Sequence, residues 1–123
     1  MSQIVLQGFK AVDAASAAST QTSSAIDCKG INQLFILCTV AGATTPSATL
    51  TVYGACSDKA GNDSSYVALV AAQVQGTSAI SANGTTSLIV PNAAFNKFKV
   101  EYTYTSGTGG TVTIWVAGKS LGA

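Results

Sequence analysis

The 123-residue sequence contains no histidine, no arginine, one tryptophan and one glutamate, and charged residues make up only 9% of it. Each shortage removes a class of function. Without histidine there is no Ser-His-Asp or Cys-His nucleophilic site and no imidazole metal site. Without arginine, and with six lysines against five acids for a net charge of +1, the chain lacks the basic footprint of a nucleic-acid binder. Glu101 stands with only Asp13, Asp27, Asp58 and Asp63, too scattered to suggest a carboxylate pair. Serines and lysines are present, but no spacing singles out a Ser-Lys dyad. No catalytic residue, metal site or cofactor is therefore expected, and the chain reads as a non-enzyme. Long apolar runs are also missing. None approaches the roughly 18 residues of a membrane-spanning helix, and the opening Met-Ser-Gln-Ile-Val-Leu-Gln-Gly-Phe-Lys has no basic leader before an apolar stretch. Synthesis in a reducing host cytoplasm, with no membrane partner, is the expectation. The three cysteines, Cys28, Cys38 and Cys56, form an odd set without C-x-x-C spacing. They are expected to be buried free thiols, as Cys38 inside Leu34-Phe35-Ile36-Leu37 suggests.

What the sequence has in abundance is small and neutral. Ala, Ser, Thr and Gly fill 61 of the 123 positions. A chain of this length forms one domain, taken here as residues 1–123, with 1–25 as an N-terminal strand and connecting arm. Its dominant hydrophobic period is two. Ala48, Leu50, Val52, Gly54 and Cys56 alternate with Thr49, Thr51, Tyr53 and Ala55. Phe98, Val100, Tyr102 and Tyr104 alternate with Lys97, Lys99, Glu101, Thr103 and Thr105. Val112, Ile114 and Val116 alternate with Thr111, Thr113, Trp115 and Ala117. Such alternation marks half-buried strands. Residues 31–40 are apolar on both parities from Leu34 to Cys38, which predicts a central strand covered on both faces. Further strands are expected at 4–12, 20–27, 66–73, 78–82 and 85–90, the last two joined as a hairpin at Asn83-Gly84. Pro91-Asn92-Ala93-Ala94-Phe95 reads as a single helical turn. Residues 14–18 are too short and Ser-rich for a stable helix. Short strands punctuated by Gly and Asn predict an all-β fold, a two-sheet antiparallel sandwich of jelly-roll or related Greek-key type.

Several segments invite a functional reading. Residues 58–65 look at first like a calcium loop but lack the acidic spacing and closing glutamate, so a strand connector is expected. Asn62-Asp63-Ser64 and Asn83-Gly84-Thr85 fit the glycosylation pattern but read as turns. Lys97, Lys99 and Glu101 share one strand face, either solvated or paired across a subunit interface. Parity places Trp115 with Thr111 and Thr113, away from the core, and Tyr53 with Thr49 and Thr51. Aromatics among threonines are typical interface anchors. A bulge would turn Trp115 inward instead, and sugar stacking is a third reading of it. A near-neutral exterior of short side chains favours association, because little rotamer entropy and little charge desolvation oppose it. The Ala/Ser-rich segment 13–24 is then expected to be an arm or connector lying on a neighbour.

The Met start, the Ala/Ser/Thr/Gly bias, ATLTVYGACSD (48–58) and NKFKVEYTYTSGTGGTVTIWVAGK (96–119) together resemble the β-sandwich capsid cement, or decoration, proteins of tailed bacteriophages. The resemblance covers roughly residues 26–119 and carries over no site residue. It implies a virion structural protein on the capsid surface, a homo-oligomer of trimer type that clamps neighbouring copies of the major capsid protein. Two other readings share this texture. One is a carbohydrate- or receptor-binding β-sandwich module of a tail or fibre, and the other a major coat or tail-tube subunit.

Overall fold

The structure, a computed structural model, describes residues 5–120. In chain order the strands are β1 (Val5–Ser16), β2 (Gln21–Thr22), β3 (Ile26–Asp27), β4 (Gln33–Ala41), β5 (Thr44–Ala55), β6 (Val67–Ala68), β7 (Gln75–Gly76), β8 (Ala79–Ile80), β9 (Gly84–Val90), β10 (Lys97–Thr108) and β11 (Thr111–Lys119), with one 3-10 turn at Ala71–Gln73. All pairings are antiparallel. One sheet runs β1-β11-β4-β9-β7. The other runs β2-β10-β5-β6, with β3 also on β10 and β8 also on β5. The first strand thus lies beside the last, and the second and third beside the last but one. That mirrored pairing is the jelly-roll topology of a two-sheet sandwich.

Alternation fills the space between the sheets. Leu34, Ile36, Cys38 and Val40 of β4, with Val112, Ile114 and Val116 of β11, meet Leu50 and Val52 of β5 and Phe98, Val100 and Tyr102 of β10 in one buried cluster. Tyr102 can be buried because its hydroxyl donates to the Ala17 carbonyl at 2.8 Å, which satisfies a polar atom that burial would otherwise penalise.

Several expectations are corrected. The predicted strand at 20–27 is two short pieces, β2 and β3. Between them the Ser23 hydroxyl accepts from the Val100 N–H at 2.9 Å while Ser23 N–H donates to the Val100 carbonyl, so a side chain stands in for a rung of the ladder. Segment 13–24 packs on its own chain. It completes β1, buries Ala17 and returns along β10. Asn83-Gly84 does not close a hairpin, because β8 pairs with β5 and β9 with β4 in opposite sheets. Asn83 instead accepts from Ala43 N–H at 3.0 Å and donates to Ala43 O at 2.8 Å, locking the crossing to the β4–β5 corner. The predicted strand at 66–73 narrows to β6 and then turns through Ala71–Gln73. Residues 91–95 form no helical turn; Phe95 packs on Phe98 and over Gly54. Cys28 and Cys38 are buried free thiols, but Cys56 is exposed.

Candidate functional site

Strand β4 is central in its sheet, yet among the described residues only its inward face is covered. On the outward face Phe35 is 42% exposed, Ile89 of β9 39% and Trp115 of β11 41%. The coverage predicted for both faces of residues 31–40 is therefore met on one face only. Register places these residues side by side: Trp115 opposite Leu37, and Ala117 opposite Phe35, which in turn sits opposite Ile89. The β4–β11 ladder has no register shift, so nothing rotates Trp115 into the core. The result is one contiguous apolar surface. Beside the aromatic row runs an open groove of about 450 Å³, lined by Val5, Leu6, Gly8, Phe35, Ile89 and Ala117 among others. A smaller hollow against Trp115 shares Gly8, Phe35 and Ala117 with it.

The rim of this face is polar. Thr39 and Thr85 hydroxyls lie 3.0 Å apart at one end. Lys10 holds its ammonium 5.4 Å from the Trp115 ring centroid, within cation–π range, and 3.5 Å from Asp13 Oδ1. Lys119 and Gln33 stand at the other end of the groove.

The other predicted site residues lie on the opposite side of the sandwich. Tyr53, Lys97, Lys99 and Glu101 are on β5 and β10, in the outer face of the six-stranded sheet, so Tyr53 and Trp115 are not brought together. Glu101 accepts from Thr103 at 2.9 Å, Thr22 at 3.0 Å and Tyr53 at 3.1 Å. Partial burial pushes its carboxyl up, and the three hydroxyl donors outweigh that, so it titrates below the ordinary carboxylate value. Desolvation, then the bond to Glu101, raises the Tyr53 phenol. Lys97 pairs with Asp63 at 3.1 Å, and Lys99 lies 4.3 Å from the Tyr66 ring centroid. Asp63 also accepts from Ser57 and Tyr66, both at 2.8 Å; the Ser57 bond leads in holding its carboxyl low. The strand-face charges thus all find partners inside the chain. In the loop at 58–65, Asp58 Oδ1 accepts from the Ala60 and Asn62 N–H groups. Its carboxylate is spent on folding its own connector.

The fold is also that of a prophage protein. The SPBc2 prophage-derived protein YomS superposes with a TM-score of 0.59 at 16% identity, over 98% of this chain and 96% of that one. A structure of infectious bursal disease virus, Gx strain, aligns with a TM-score of 0.50 at 12% identity, covering 96% of this chain. The chain spans 32% of that viral chain. At such identities the likeness is one of fold alone. No protein-family model matches the sequence, and no curated protein matches it.

Sequence reasoning missed Phe35 and Ile89. Their signal was present: β4 is apolar on both parities, and Leu88-Ile89-Val90 breaks the alternation of β9. An apolar residue on the wrong parity is turned to the outer face of its sheet.

Proposed function

We propose that this protein is a structural subunit of a virus particle, specifically a phage capsid cement protein that bridges neighbouring shell subunits. The observation that carries the reading is the uncovered apolar face of the β1-β11-β4-β9 sheet, on a domain with almost no charge to keep its surfaces apart. Support also comes from the jelly-roll likeness to a prophage protein over nearly the whole of both chains and to part of a viral chain. Two opposed contact faces suit a bridge: an apolar one centred on Trp115, and a hydroxyl-rich one carrying Thr49, Thr51, Thr103 and Tyr53. Short neutral side chains lose little entropy when covered. A cement protein stabilises by mass action, binding the assembled lattice and not its free parts, with about 2.7 kcal/mol per site at a hundredfold excess over Kd.

Lys10 already occupies one side of the Trp115 ring, and the hollow beside it is lined by apolar groups. Those features favour protein packing over sugar stacking. The test is to mix purified protein with heads lacking their cement protein. Co-sedimentation and a raised rupture temperature are expected; heads that neither bind the protein nor gain heat resistance overturn the proposal.

A further inference from the structure

We infer that Asn83-Gly84 is a site of spontaneous covalent modification, the asparagine converting to aspartate and isoaspartate, and that the β4–β5 corner holds the site closed while the chain is folded. The site is independent of the virion reading.

This is the one Asn-Gly step in the sequence; Asn32, Asn62, Asn92 and Asn96 precede Gln, Asp, Ala and Lys. Glycine matters because the backbone nitrogen of Gly84 must reach Cγ of Asn83, and no Cβ stands in the way. In the reaction that nitrogen gives its proton to hydroxide and forms a bond to Cγ. The Cγ–Nδ2 bond breaks, and Nδ2 leaves as ammonia with a proton from water, which restores the hydroxide. Water then opens the cyclic imide on either side. One opening leaves aspartate, the other isoaspartate, in which the main chain runs through the side-chain carbon. Water enters and ammonia departs, so neither an oxidant nor a metal is required. Solvent has access, since Asn83 and Gly84 are both exposed and nothing lies within 4 Å of the place a Gly84 Cβ would occupy.

What restrains the folded chain is the pairing of this same amide. Oδ1 accepts from Ala43 N–H at 3.0 Å and Nδ2 donates to Ala43 O at 2.8 Å. Ring closure makes Cγ tetrahedral and expels Nδ2, so both bonds are lost on the way. Ala43 is poorly placed to follow the side chain. It is buried, and its backbone packs on Gly110, where an added Cβ would stand 2.6 Å from Ala43 N. Gly110 in turn accepts from Ala17 N–H at 3.1 Å. Gly84 is fixed as well, opening β9 opposite Val40. The clamp therefore draws on segments far apart in the chain and is released when the corner opens. Once modified, the chain cannot rebuild it. Aspartate sets a carboxylate oxygen where Nδ2 donated, acceptor against the Ala43 carbonyl, and isoaspartate lengthens the main chain at the start of β9.

Peptide mapping by mass spectrometry follows the amide-to-acid exchange, with the other asparagines as internal controls. Held at about pH 8 in guanidinium chloride, the full chain should convert at Asn83 ahead of every other asparagine, with isoaspartate among the products. The folded protein should convert there at least about tenfold more slowly, the net worth of the two hydrogen bonds. Gly110→Ala, which presses on Ala43, should raise the folded rate and leave the rate in denaturant unchanged. The same rise is expected of the wild type in guanidinium chloride below its unfolding midpoint, which serves if that variant does not fold. Asn83→Asp, standing for the product, should lower the folding equilibrium constant about tenfold or more by chemical denaturation. No preference for Asn83 in denaturant overturns the site. A folded rate equal to the denatured one, or one that neither Gly110→Ala nor mild denaturant raises, overturns the clamp. Unaltered stability of Asn83→Asp overturns its loss on modification.

Discussion

At the scale of single residues, the fold is held by a few polar atoms placed where burial would otherwise be costly. Tyr102 is fully buried and its hydroxyl donates from β10 to the Ala17 carbonyl. Tyr102→Phe leaves that carbonyl without its donor, and a loss of about 1–2 kcal/mol is expected from chemical denaturation. Burial separates the thiols chemically. It pushes Cys38 up to about 12 and, aided by Asp27, Cys28 up to about 11, so neither forms thiolate near neutrality. Cys56 is exposed. A thiol reagent at pH 8 should titrate one cysteine in the native protein and three after denaturation. The carboxylates give the pH profile its sign. Glu101 and Asp63 are held below their ordinary values of 4.5 and 3.8. Their contribution to stability is complete above those values and is lost as pH falls through the depressed folded ones. The melting temperature should therefore be flat from pH 7 to about 5 and decline in acid. Glu101→Gln should make the decline shallower.

Among the elements, the corners that carry the chain between sheets set the topology. Gly110 opens β11 at φ +84°, and a Cβ there would stand 2.6 Å from Ala43 N and 2.8 Å from Ala41 O. Both neighbours are backbone and cannot yield, so Gly110→Ala should cost about 2 kcal/mol or more, read as a lowered denaturation midpoint. Asn83 serves the opposite crossing, and its two bonds to Ala43 place both corners against one another. Strand β1 is the long edge of its sheet. Three register shifts, the left-handed Ala14 and the Lys10–Asp13 pair interrupt it. Bulges and charge are the usual means of discouraging edge-to-edge pairing. The edge is thus guarded while the face beside it is left apolar.

On the scale of the whole molecule, β1 closes against β11 and most pairings join residues far apart in sequence. Loop closure must precede their reward, so refolding should be slow, on the order of milliseconds to seconds, and single-exponential by stopped-flow fluorescence. Net charge near zero gives little repulsion between copies. One outer sheet face is apolar and the other rich in hydroxyls.

How far the sequence could be read depended on the range of the interaction. Period-two alternation is local chemistry, so the strands at 97–105, 111–117 and 48–56, their inward residues, the outward parity of Trp115 and the two-sheet sandwich were all legible. The neutral exterior was legible too, from composition. Which strands pair was not written locally. Asn83-Gly84 has the chemistry of a hairpin, yet Ala43, forty residues away, claims the asparagine and sends the chain across to the other sheet. Segment 13–24 looks like a detachable arm until Tyr102 and Val100 are seen to bind it. Phe35 and Ile89 declared only that they are apolar. That they lie uncovered beside Trp115, and so make a face instead of a core, depends on which strands β4 and β9 have for neighbours, and only the folded sheet decides that.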